Sequence, residues 1–128
     1  MYKFKTNKKF YQRYEESTLT KKKYPGKIPI IINRHKLSKL PSIENYKFLV
    51  SDDLTVSQLL FIIKKHIKLK ESIELFIYIN DSLAIMSYSI LEIYNKYKSN
   101  DGFLYILYGE QNYSYSWMYC ILKYLKIV

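Results

Sequence analysis

The chain holds one cysteine, three glycines and three prolines in 128 residues. The lone Cys120 excludes an internal disulfide framework and a cysteine-rich zinc site. It suits a reducing compartment, cytosolic or nuclear. Gly26, Gly102 and Gly109 are isolated, so there is no glycine-rich cradle for phosphate. No glycine follows Gly109. No apolar stretch approaches the roughly 20 residues of a membrane-spanning helix. The N-terminus mixes lysine with aromatics and lacks the apolar centre of a signal peptide. Acidic residues are scarce early: residues 1–40 hold twelve Lys/Arg and two Asp/Glu, and residues 41–128 hold nine of each. The whole excess of +10 therefore lies in the N-terminal third. A localised basic excess suits lipid headgroups, acidic protein tails or nucleic acid, and equally a solvated lysine face.

Groups for catalysis are sparse as well. A nucleophile needs a base beside it, and Cys120 has none nearby in sequence. His35 and His66 lack partners of triad type, and two histidines so separated make no metal site. Asp52-Asp53 is more economically read as negative charge before a helix than as paired catalytic carboxylates. The expectation is a protein that is not an enzyme, with no cofactor and no metal. Tyr2, Phe4, Phe10, Tyr11 and Tyr14 alternate with lysines, a pattern that binds single-stranded nucleic acid by charge and stacking. No nucleic-acid motif accompanies it, and interior packing accounts for Phe10 and Tyr14 equally well. Nucleic acid ranks third among the partners considered.

The order of elements is easier to read. Residues 2–23 suggest one or two short helices, with Phe10, Tyr14 and Ser17 on a shared face and Tyr24-Pro25-Gly26 as the stop. Ile28-Pro29-Ile30-Ile31-Ile32-Asn33 is a β-branched run, and Pro29 is tolerated near a strand start. Tyr46 to Ser51 is a second strand, simplest as the antiparallel partner of the first. Thr55-x-x-Gln58 forms a capping box. Val56, Leu59, Leu60, Ile63 and Ile67 follow at helical spacing. Leu75 to Ile79 is a third strand, closed by Asn80-Asp81. Ser89-x-x-Glu92 caps a helix towards Lys98, which Asn100-Asp101-Gly102 stops. Phe103 to Tyr108 is a fourth strand. The order β-β-α-β-α-β is that of an α+β ubiquitin-like β-grasp. The tail from Trp117 to Val128 is apolar nearly all round, with two lysines. It is too short to span a bilayer, and suits a membrane interface, packing onto the domain, or sequence foreign to the domain.

Four of these segments form a recognisable set. Tyr24-Pro25-Gly26-Lys27-Ile28-Pro29, Lys47-Phe48-Leu49-Val50, Asp53-Leu54-Thr55-Val56-Ser57-Gln58-Leu59 and Asp101-Gly102-Phe103-Leu104-Tyr105 occur in that order. The set resembles the autophagy-related ubiquitin-like proteins, the family that includes GABARAP and the light-chain-3 proteins. The resemblance covers about residues 8–112. It implies a β-grasp with two extra N-terminal helices over residues 1–112, leaving residues 113–128 as an atypical apolar tail. It also implies a cytoplasmic adaptor of autophagy, associated with autophagosome or other vesicle membranes. Its partners would be short linear motifs of autophagy receptors, an aromatic residue followed three positions later by an aliphatic one. They would pair as an added strand, by β-augmentation.

By position, the resemblance assigns the aromatic-accepting pocket to Glu16, Pro29, Lys47, Leu49 and Phe103. It assigns the aliphatic-accepting pocket to Phe48, Val50, Leu54, Leu59 and Ile62. Phe76 and Tyr78 match a second family surface, used for helical ubiquitin-interacting-type motifs. The plain-core reading is strongest for Leu59 and Ile62, and weakest for Phe48 and Lys47. Lys21, Lys22 and Lys23 are the candidates for an anionic membrane surface. Thr20 stands where members usually have isoleucine, Ser51 replaces a proline, and Ala84-Ile85 replaces a proline pair. At the C-terminus, members carry an aromatic residue and then a glycine that activating and conjugating enzymes join to a lipid amine. Here that pair reads Ser114-Tyr115, so the expectation is no lipidation of the chain as written. The alternative is a peripheral membrane or cytoskeletal protein acting through the basic N-terminal helices and the apolar tail.

Overall fold

The isoleucine run and the tyrosine-rich run near residue 105 both want burial on two faces, and a central position in a sheet provides it. The computed structural model describes residues 2–111 and Leu125. Two helices, α1 (Lys3–Asn7) and α2 (Phe10–Lys23), precede the strand β1 (Lys27–Arg34). Then come β2 (Lys47–Ser51), α3 (Val56–His66), β3 (Phe76–Ile79), β4 (Ser82–Leu83), α4 (Ile90–Tyr97) and β5 (Leu104–Gly109). The sheet order is β2-β1-β5-β3-β4. β1 and β5 run parallel at its centre, and the other pairs are antiparallel. The expected α+β β-grasp is therefore present, with the expected β1–β2 hairpin.

Local chemistry explains the boundaries. Thr55 and Gln58 form the reciprocal cap of α3, and Ser89 and Glu92 that of α4. Thr55 and Ser89 also bridge to each other, so the two capped helix starts are fastened together. Pro29 faces Leu49 in a pair outside the β1–β2 hydrogen bonds, since Ile32 N–H donates to Tyr46 and Asp52 N–H to Gly26. Its missing N–H would point towards β5, which begins pairing only at Ile30. The proline thus removes no ladder bond. β4 was not expected. It has two residues, and Asn80 and Asp81 form the tight turn before it at φ 49° and 65°.

One face of the sheet packs on α3 and α4. Ile30, Ile32, Leu59, Ile63, Leu104 and Ile106 are all fully buried there. The other face carries a smaller aromatic cluster of Phe4, Ile31, Phe103 and Tyr105. Here the structure divides the face expected for α2: Ser17 is buried, but its two aromatic members are not. Phe10 and Tyr14 stack on each other and are exposed, at 51% and 53%. Phe4 of α1 fills the core position instead, its ring edge-on to Phe103 at 4.9 Å.

The inward face of α2 is polar because its partner is a carboxylate. Asp101 is fully buried. It accepts from Arg13 Nε at 2.9 Å, Tyr105 Oη at 2.5 Å and Phe103 N–H at 3.0 Å. Ser17 Oγ donates to its carbonyl at 2.5 Å. Gly102 has φ 88°, and a Cβ there would collide with Ser17. Burial first, then the bond to Asp101, pushes the Tyr105 hydroxyl far above its ordinary pKa.

Candidate functional site

β2 is one edge of the sheet. In an antiparallel pair, alternate residues turn their backbone groups to the partner and away from it. Phe48 and Val50 bond to β1, so the N–H and C=O of Leu49 point to the open side. Side chains alternate across the same strand. Lys47 and Leu49 lie on the face of the N-terminal helices, and Phe48 and Val50 on the face of α3.

The first flank is built around an ion pair. Lys47 Nζ is 2.6 Å from Glu16 Oε1, and Lys8 Nζ is 3.2 Å from Glu16 Oε2. Lys47 Nζ also lies 4.7 Å from the Phe4 ring centre, a cation–π contact. Partial burial alone would raise the Glu16 pKa, but hydrogen bonds and charge from Lys47 and Lys8 outweigh it and hold the carboxyl below its ordinary range. Leu49 is 40% exposed, with buried Pro29 opposite it. Phe103 is 4% exposed and lies under Phe4, so its side chain forms the floor rather than the lip.

The second flank is apolar. Phe48 and Leu54 pack on the cluster that holds Val50 and Leu59. Leu59 is fully buried, while Ile62 is partly exposed. The Phe48 ring meets the His66 ring edge-on at 4.9 Å. His66 Nδ1 in turn lies 3.0 Å from the Ile62 carbonyl.

The structure thus brings Glu16 and Lys47 together, and Phe48, Val50, Leu54 and Leu59 together. Sequence reading missed Phe4, Lys8 and His66 as neighbours of the strand. Spacing gave no signal for them, because none lies on β2: Phe4 and Lys8 belong to α1 and its C-cap, and His66 to α3. On β3, Phe76 keeps some exposure but Tyr78 is 3% exposed, with its hydroxyl donating to the Gln111 carbonyl. Lys21, Lys22 and Lys23 are exposed in the last turn of α2, where cations suit the helix dipole. Lys21 also rests 4.3 Å from the Tyr94 ring centre. Tyr115, Ser114, Trp117 and Cys120 lie outside the described residues. A cleft of about 340 Å³ between α3 and the β3–β4 edge, lined by Leu60, Leu75, Leu83 and Met86, is remote from β2.

A β-grasp sheet with two helices laid over its second face defines a ubiquitin-like protein with an N-terminal extension. Residues 12–115 match the family described as "Autophagy protein Atg8 ubiquitin like", and the chain belongs to that family. It is 37% identical over 109 residues to autophagy-related protein 8e of Arabidopsis thaliana, covering 85% of this chain and 89% of that one. It is 39% identical over 109 residues to autophagy-related protein 8 of Schizosaccharomyces pombe, covering 85% and 90%. The crystal structure of Trypanosoma brucei ATG8 superposes with a TM-score of 0.81 at 34% identity, over 84% of this chain and 92% of that one. The chain is an autophagy-type ubiquitin-like protein.

Proposed function

We propose that the chain is a non-catalytic adaptor, cytoplasmic and autophagosome-associated, that captures aromatic-x-x-aliphatic motifs along β2. The observation that carries the reading is the edge strand itself. It offers outward backbone groups at Leu49, with different chemistry on its two flanks. The aromatic side chain enters beside Lys47 and Leu49, and the aliphatic one beside Phe48 and Leu54. Lys47 attracts acidic residues flanking the motif. A peptide of this pattern should bind with micromolar affinity, roughly −7 to −8 kcal/mol. Replacing Phe48 and Leu49 with alanine should weaken binding by about 1–3 kcal/mol in calorimetry. Unchanged affinity in a variant that still melts cooperatively overturns the assignment.

The same reading includes no conjugation to lipid, because Tyr115 stands where the acyl glycine is needed and residues 116–128 contain no glycine. After reconstitution with the family's activating and conjugating enzymes, intact mass should show no lipid adduct. Ending the chain at Tyr115→Gly, with Ser114→Phe if needed, should restore one. A lipid-sized increment on the unaltered chain refutes this part.

A further inference from the structure

α2 has two long flanks. Glu16 stands on the one beside β2, where it meets Lys47. Phe10, Tyr14 and Lys21 follow at intervals of four and seven residues, so they line the other. Lys21 fixes the direction of that flank, since its ammonium lies 4.3 Å from the ring centre of Tyr94 in α4. Lys98, the C-cap of α4, reaches the same ring at 5.5 Å.

Charge on this flank is unbalanced. Two ammoniums converge on one ring, and no carboxylate answers them. The three ion pairs among the described residues use Lys8, Arg13 and Lys47. Asp101, in the loop between α4 and β5, is buried and already bonded to Arg13, Tyr105 and Phe103. Apolar area is unbalanced too. Phe10 and Tyr14 stack on each other yet stay exposed, and Tyr11, one turn from Tyr14, is 63% exposed. Scattered apolar residues on a surface need no account, but three rings within two turns form one patch.

A lipid–water interface answers both. Aromatic rings settle at the headgroup level, and lysines reach the phosphates while their stems stay in apolar surroundings. Nucleic acid would answer the charge alone. Phe10 and Tyr14 cover each other, with 22° between ring planes, instead of standing apart to receive a base.

We propose that the Phe10–Tyr14–Lys21 flank of α2, together with Lys98 of α4, rests on anionic lipid surfaces. It gives the chain a membrane contact that needs no covalent lipid. The β2 groove lies on the other flank of α2 and stays open to motifs in the bound chain. The proposal goes beyond the adaptor reading and is independent of it: peptide capture at β2 can fail while the lipid contact holds, and the reverse.

The full chain should co-sediment with phosphatidylcholine vesicles that carry phosphatidylserine, far less with phosphatidylcholine alone, and less as salt rises. Lys21→Gln with Lys98→Gln should lower partitioning by about tenfold or more, at roughly fivefold for each lysine. Lys36→Gln with Lys39→Gln removes the same charge from exposed positions after β1 and should change it much less. Phe10→Ser with Tyr14→Ser should weaken binding severalfold. The altered positions are all exposed, so each variant should still melt cooperatively. Spin-labelled lipid in nanodiscs should broaden the amides of Tyr11 and Tyr14 more than those of Leu49 and Ser57. Equal losses in the two lysine pairs would assign binding to net charge and overturn the proposal. So would binding that neither α2 variant weakens but that disappears on deleting residues 117–128, binding to single-stranded oligonucleotides in place of vesicles, or no vesicle binding at all.

Discussion

The two faces of this sheet are held by different chemistry. The α3–α4 face is almost wholly aliphatic, with isoleucines and leucines at zero exposure. The N-terminal-helix face is a mosaic of aromatic rings, a buried carboxylate and paired lysines. The aliphatic face depends on area removed from water and tolerates shape-conserving swaps. The mosaic depends on partners far apart in sequence, such as Arg13 with Asp101, and fails when one is removed. The first face makes the β-grasp. The second fixes where α2 sits, and hence where Glu16 meets Lys47.

Breaking the aliphatic face should cost most. Ile106→Ala removes a fully buried side chain between strands and helices. It should lower stability by about 2–5 kcal/mol in urea unfolding. A loss under about 1 kcal/mol, far below that range, would mean the face collapses readily around the gap.

Next comes the buried carboxylate. Asp101→Asn keeps the shape but removes the charge that Arg13 and Tyr105 address. The expected loss is about 1.5–3 kcal/mol, the range for hydrogen bonds to charged groups. Arg13→Met should cost at least as much as Asp101→Asn, because it leaves a carboxylate with 1% exposure without its cation, whereas Asp101→Asn leaves an arginine that retains 12%. The opposite order would show that the carboxylate's bonds to Tyr105 and Phe103 hold the clasp without the guanidinium.

The contrast also explains what could be read in advance. The α3–α4 face was legible because its signals are local: the capping boxes at Thr55 and Ser89 and the helical spacing of Val56, Leu59, Leu60 and Ile63. The mosaic was not. Periodicity put Phe10, Tyr14 and Ser17 on one face and left the burial of the two rings open; the inward positions of α2 are Arg13 and Ser17, whose partner Asp101 is distant in sequence. Asp101 itself read as a helix stop, since an Asp-Gly pair signals a turn whether or not its carboxylate is buried. β4 escaped because two residues carry no period, although Asn80-Asp81 was the turn signal before it. At the site, the alternation along Lys47–Val50 was local and legible. Phe4 under Lys47 and His66 against Phe48 arise only from the tertiary fold.

The smallest expected effect is at Glu16, and it tests the join between the two faces. Glu16→Gln removes the charge shared by Lys47 and Lys8 without changing shape. All three side chains keep substantial exposure, so the loss should be about 0.2–1 kcal/mol, as for surface pairs. Its pH dependence has a definite sign. The folded-state pKa of Glu16 is depressed below its unfolded value, so the ionised carboxylate favours the fold at neutral pH. That contribution is complete above the ordinary carboxylate range and fades as the pH falls through the depressed value. Chemical denaturation of both proteins across this range should show a gap at neutral pH that closes in acid, and that narrows with added salt. A gap that persists in acid would assign the effect to packing of the side chain, and Lys47 would then be held chiefly by the Phe4 ring.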